Sequence, residues 1–182
     1  MNIVPTPNNN NNTLELVSFR ENITRIQEGL LSAIAVGTIV DQLPECTVKH
    51  YFTPQDEKFG SFTYAREMTI PKDTIIIGKI HRHKHLNIIS KGRVSVITEH
   101  GLKHYTAPCT FISEMGTKRA VYAEEGTLWT TIHTVSYGSE EYLDKIEAEV
   151  IAPSYEDLNL ISTVKELTML QYDLFNNEGG AV

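Results

Sequence analysis

From Thr47 to Ser136 the chain is cut into short β-branched and aromatic runs by turn residues at nearly even intervals. That texture restricts the fold more than any other feature of the sequence. Strands are expected at 48–52, 61–70, 74–80, 85–90, 93–99, 103–107, 110–112, 119–123 and 128–135, divided by Pro71-Lys72-Asp73, Lys91-Gly92, His100-Gly101, Ala107-Pro108, Met115-Gly116 and Glu125-Gly126. Eight or nine short strands without a helix between them predict a mainly β, antiparallel barrel or sandwich and argue against a doubly wound sheet.

The flanks read differently. Residues 1–13 hold Pro5, Pro7 and the run Asn8 to Asn12 and are expected as a flexible arm. In the N-terminal segment 14–46, Ser18-Phe19-Arg20-Glu21 has the spacing of a capping box, and Ile23, Ile26, Leu30, Leu31 and Ile34 recur at helical spacing. They predict a helix at about 20–35 that docks an apolar face on the β-barrel of 47–137. Segment 138–175 is acidic and carries a second amphipathic helix, capped by Ser154 and striped by Leu160, Ile161, Val164, Leu167, Leu170, Leu174 and Phe175. Residues 176–182 form a tail.

A chain of 182 residues fits one domain with a sizeable core. Its longest apolar run, Leu30 to Val40, is interrupted by Ser32, Gly37 and Thr38 and is too short to span a bilayer, so no membrane partner is expected. No basic stretch followed by an apolar one opens the chain, so secretion is not expected. Cys46 and Cys109 are too few for a disulfide framework and read as buried thiols. The net charge of −7 is unevenly spread: between Arg66 and Arg119 ten Lys/Arg stand against four Asp/Glu, and elsewhere six stand against nineteen. A locally basic region with acidic flanks favours a small anionic ligand over a long nucleic acid.

Inside that basic region lies Ile80-His81-Arg82-His83-Lys84-His85. On one extended strand, His81, His83 and His85 would share a face, with Arg82 and Lys84 opposite. Imidazoles bind divalent metals and exchange protons near neutral pH, so the run predicts a site. Trp129, Thr131 and His133 alternate on the last strand and offer an aromatic wall, a hydroxyl and a further imidazole. Arg66 reads as a surface strand residue with the barrel mouth as its alternative, Glu114 as a turn residue with a proton-transfer carboxylate as its alternative, and His50, His100 and His104 as surface positions. No P-loop, dinucleotide fingerprint, nucleophile elbow or zinc-ribbon pair occurs.

Two stretches carry a family resemblance. Counting back from Gly92 across the spacing His-x-His, Glu, Gly places Lys79 and His81 at the paired histidines and His85 at the glutamate; counting forward from His81-x-His83 places Asn87 there instead. Further on, Gly116-Thr117-Lys118-Arg119 keeps the glycine of a Pro-x-Gly-x-x-His pattern and sets Arg119 at its histidine. Segment 77–135 thereby resembles the cupin superfamily. The resemblance implies a cupin-type double-stranded β-helix barrel with flanking N- and C-terminal amphipathic helices. It also implies a divalent metal (Zn, Mn, Fe or Ni) on His81, His85 and His133. The cations Lys79 and Arg119 at two ligand positions suit a phosphate or carboxylate instead.

The string from His104 through Arg119 to His133 is similar to uncharacterised cupin proteins of tailed bacteriophages, which implies the cytoplasm of an infected bacterial host, or association with the virion. Three functions are expected to compete. One is capture of a small anionic molecule, such as a nucleotide signal, by Lys79, His81, His83, His85, Arg119, Trp129, Thr131 and His133. The second is a metal-dependent isomerase, oxygenase or hydrolase. The third is a virion or assembly component. A homodimer is the expected self-association.

Overall fold

The computed structural model describes the backbone of residues 9–158 and the side chains of residues 18–158. Helix α1 (Asn9–Ala35) is followed by a 3-10 turn (Leu43–Glu45) and by strands β1 (Thr47–Phe52), β2 (Phe62–Ile70), β3 (Ile75–Ile77), β4 (Ile80–His81) and β5 (His85–Lys91). Strands β6 (Arg93–Thr98), β7 (Gly101–Thr106), β8 (Cys109–Ser113), β9 (Ala120–Ala123) and β10 (Thr127–Val135) complete the β region. Helix α2 (Leu143–Val150) and strand β11 (Ile151–Ala152) follow.

All pairings are antiparallel. One sheet runs β1-β2-β10-β5-β8, a second β3-β9-β6-β7, and β11 pairs with β4. The two larger sheets face each other across Ile70, Ile89, Val94, Val96, Val121, Ala123 and Trp129, side chains drawn from both. This is the expected mainly β, double-stranded arrangement, built as two facing sheets without a continuous ring of hydrogen bonds. Along β5 and β10 burial alternates, so His85, Asn87 and Ile89, and Trp129 and His133, point inward. Helix α2 closes one end: Ile146 and Val150 pack on Tyr64 of β2 and Val135 of β10.

Three local expectations are corrected. The strand expected at 74–80 is split, because Gly78 donates its N–H to the Arg119 carbonyl (2.7 Å) and the chain then leaves β9 for β11. Helix α1 begins at Asn9, so Ser18 lies within it instead of capping it. Of the stripe on α1, Ile23 is buried while Ile26 and Leu31 are exposed. At the other end, Ser154 does cap a helical turn: Asp157 N–H donates to Ser154 Oγ at 3.2 Å. The stripe expected from Leu160 to Phe175, the tail 176–182 and residues 1–8 of the arm lie outside the described residues. Cys46 and Cys109 are both free thiols.

The turn at Gly92 carries the chain from one sheet to the other with φ +88°, and a Cβ there would lie 2.6 Å from the Gly126 carbonyl oxygen. Gly101 has a similar φ of +92° with open space around it. Gly101→Ala should therefore cost only the left-handed backbone penalty, about 1–2 kcal/mol. Gly92→Ala adds a clash with immobile backbone, so it should cost clearly more in a denaturant titration of the two variants side by side.

Candidate functional site

The histidine run does not lie on one strand. His81 ends β4, held by the pairing of β4 with β11. His83 sits in the bend that follows, and His85 opens β5, whose neighbours are β8 and β10. Between them Arg82 donates from Nε to the Ile151 carbonyl (2.8 Å) and the Ala148 carbonyl (3.2 Å), which pins the end of α2. Lys84 pairs with Glu114 at the surface, 2.8 Å away.

The bend nevertheless brings the imidazoles together. The rings of His81 and His85 lie 4.0 Å apart between centroids, and His133 lies 5.2 Å from His81 and 4.7 Å from His85. His83 approaches from the other side, its Nε2 3.2 Å from His133 Nδ1. His85 directs Nδ1 at the His83 carbonyl (3.4 Å), which places its proton there and leaves Nε2 as an acceptor. Arg119 Nη2 donates to that Nε2 at 3.2 Å.

Arg119 is 6% exposed. Its guanidinium lies over the Trp129 ring, 5.5 Å from the centroid, and its Nη1 is 3.5 Å from Asn87 Oδ1. Asn87, with no exposed surface, also accepts from Trp129 Nε1 (3.0 Å) and donates to Ser113 Oγ (2.9 Å). Among the described residues no carboxylate lies within ion-pair distance of Arg119. Burial lowers its pKa to about 10, so it stays charged at neutral pH.

A cavity of about 590 Å³ opens between the sheets and α2. Of the residues expected at a site, Lys79, His81, Arg119, Trp129, Thr131 and His133 line it; His85 and His83 stand behind this lining, against Arg119 and His133. Lys79 is at the rim, ion-paired with Glu147 of α2, and both side chains are exposed. Thr131 points its hydroxyl at the Arg66 carbonyl (3.4 Å).

Two expected surface residues are corrected. Arg66 lines the cavity, as does His50, whose Nδ1 is 2.7 Å from the Tyr64 hydroxyl. The missed signal was alternation along β2, which puts Tyr64, Arg66, Met68 and Ile70 on one face once β2 pairs with β10 in the register Arg66↔Thr131. Asn87 was visible only as a motif position, and its part as the acceptor joining Trp129 and Arg119 needed the fold.

Burial, followed by the neighbouring charges of His85, His133, Arg119 and His83, lowers the His81 pKa to about 2. Burial lowers His133 to about 3, and burial followed by the Arg119 charge lowers His85 to about 4. All three are neutral at pH 7, the form a metal requires. One nitrogen from each of His81, His85 and His133 falls within a 4.8 Å group, and His81 Nδ1 is buried with no hydrogen-bond partner. These three imidazoles could hold a divalent ion if His85 Nε2 gave up its hydrogen bond from Arg119, and imidazole suits zinc, iron and nickel alike.

Buried neutral imidazoles make stability depend on pH. Their folded pKa values of about 4, 3 and 2 lie below the ordinary 6.5, so the unfolded chain takes up protons first. Their contribution is complete above pH 6.5 and is lost as pH falls from there toward 4 and below. In metal-free protein the melting temperature should hold between pH 8 and 7 and drop below 6.5, with a shallower drop in His133→Gln. A flat profile from pH 6.5 to 4 would show that the rings are not held neutral.

No protein-family model and no curated protein matches the chain. Among solved structures it is similar to a cupin 2 conserved barrel domain protein from Leptotrichia buccalis, with 11% identity and a TM-score of 0.43 over 57% of this chain and 48% of that one. KdgF from Halomonas sp. matches at 15% identity and a TM-score of 0.42 over 57% of this chain and 87% of that one. Ectoine synthase from P. lautus matches at 10% identity and 0.42 over 59% and 74%. The chain spans about half the length of the Leptotrichia protein. At such identities and TM-scores the likeness transfers no residue's role and no activity to this chain.

Proposed function

We propose that the cavity between the sheets binds a small anionic molecule. One observation carries this reading: Arg119 is a buried guanidinium with no carboxylate partner among the described residues. A buried charge without a counter-charge costs several kcal/mol, which an anion at its free N–H groups offsets. Arg66 adds a second guanidinium to the lining, while Glu147, the lining's single carboxylate among the described residues, is already paired with Lys79. The lining therefore holds two positive charges in excess.

A second reading, a metal-dependent enzyme, is favoured by the unpartnered His81 Nδ1 beside His85 and His133. A divalent ion there supplies Lewis-acid polarisation of a ligand oxygen. The chain's own part is then to keep three imidazoles neutral and to orient the anionic group with Arg119. A nucleotide signal in a phage-infected cell is the narrowest form of the binding reading, and its support is the resemblance of the string from His104 to His133 to phage proteins.

Titration calorimetry with inorganic phosphate, citrate, acetate, octanoate and AMP should find at least one binder, and Arg119→Gln should weaken it on the order of 30-fold or more. Equal affinity in Arg119→Gln would sink the anion reading. For the metal, protein purified without chelator and loaded with Zn²⁺ or Ni²⁺ should retain close to one equivalent by elemental analysis, and His133→Ala should lose it. Retention below about a tenth of an equivalent would exclude the metalloenzyme.

A further inference from the structure

The cations account for one part of the cavity wall, and most of the rest is hydrocarbon. Ile70 and Ile76 of the two sheets, Val121 of β9, and Ile146 and Val150 of α2 line it. Val121 follows Arg119 by two residues, and both side chains are buried against the same interior, so charge and aliphatic surface adjoin. At the rim, Leu43 and Val48, 55% and 36% exposed, stand with the exposed Lys79–Glu147 pair, so the entrance is part apolar and part charged. Water against this aliphatic stretch finds few hydrogen-bond partners, and free energy is gained when an apolar body displaces it there. A polyhydroxylated ligand would leave hydroxyls unpaired against isoleucine and valine, which disfavours sugars and nucleotides.

We infer that the occupant is an acid on a hydrocarbon body: a carboxylate or comparable anionic head at Arg119, and an alkyl or aromatic portion along Ile70, Ile76, Val121, Ile146 and Val150. The inference rests on the anion reading and names the chemical class of its ligand. His81, Thr131 and His133, with Arg66 and the Tyr64–His50 pair, supply further polar wall, so a second polar group on the body is tolerated at that side. The cavity volume of about 590 Å³ is ample for a medium-length chain acid.

Calorimetry on the full chain tests this with butanoate, hexanoate, octanoate, n-octanol, succinate and AMP. Kd should fall about fourfold per added methylene, about 250-fold from butanoate to octanoate. n-Octanol, succinate and AMP should each bind at least about tenfold more weakly than octanoate. A series with no dependence on chain length, or succinate or AMP binding more tightly than octanoate, would overturn the hydrocarbon class and leave the anion reading standing. n-Octanol binding as tightly as octanoate would overturn the anion reading itself, and no binding by any probe would overturn the hydrocarbon class.

Discussion

A guanidinium held between two β-sheets needs something to keep it there, and much of the interior is arranged around that need. Arg119 lies over the Trp129 ring, donates to His85 and reaches Asn87. Asn87 in turn takes the Trp129 N–H and gives its own to Ser113. Each partner is neutral, so the hydrogen bonds satisfy geometry without cancelling charge. The excess positive potential is left facing the cavity. The same charge helps keep His81, His85 and His133 unprotonated.

The imidazole cluster depends on a change of partner strand. β4 is tied to β11, β5 to β8 and β10, and the bend between them turns three alternate histidines into a packed group around His133. Helix α2 completes the enclosure from one end, held by Ile146 and Val150 in the apolar cluster and by Arg82 at its last turn. Its Glu147 occupies Lys79, which leaves the two arginines as the cavity's unmatched charges among the described residues. A divalent ion on the histidines would add to the field that attracts an anion, while Arg119, 3.2 Å from His85 Nε2, would oppose the ion itself.

Much of the fold was legible because its signals are local. Pro71, Gly92, Gly101 and Gly126 mark turns through backbone preference alone, and the β-branched runs between them became strands within a residue or two. Gly78 was less legible: its N–H goes to the Arg119 carbonyl, a contact made across the sheets. The start of α1 was misplaced because Ser18 has the spacing of a cap whether or not a helix already runs through it.

For the candidate site, the sequence alone determined which residues share a face along β5 and β10. Alternation of side chains is a property of each strand, so His85 shares a face with Asn87, and Trp129 with His133, before any pairing is known; which face is interior came from the fold. Only the tertiary structure decided who meets whom. Arg66 against Thr131, Asn87 against Trp129 and His81 against His133 follow from hydrogen-bond registers and a crossover between sheets, which join residues far apart in the chain. Whether a basic side chain ends in water or in the core is settled by those distant partners: Arg66 and Arg119 line the cavity, and Lys84 lies outside because its bend faces Glu114.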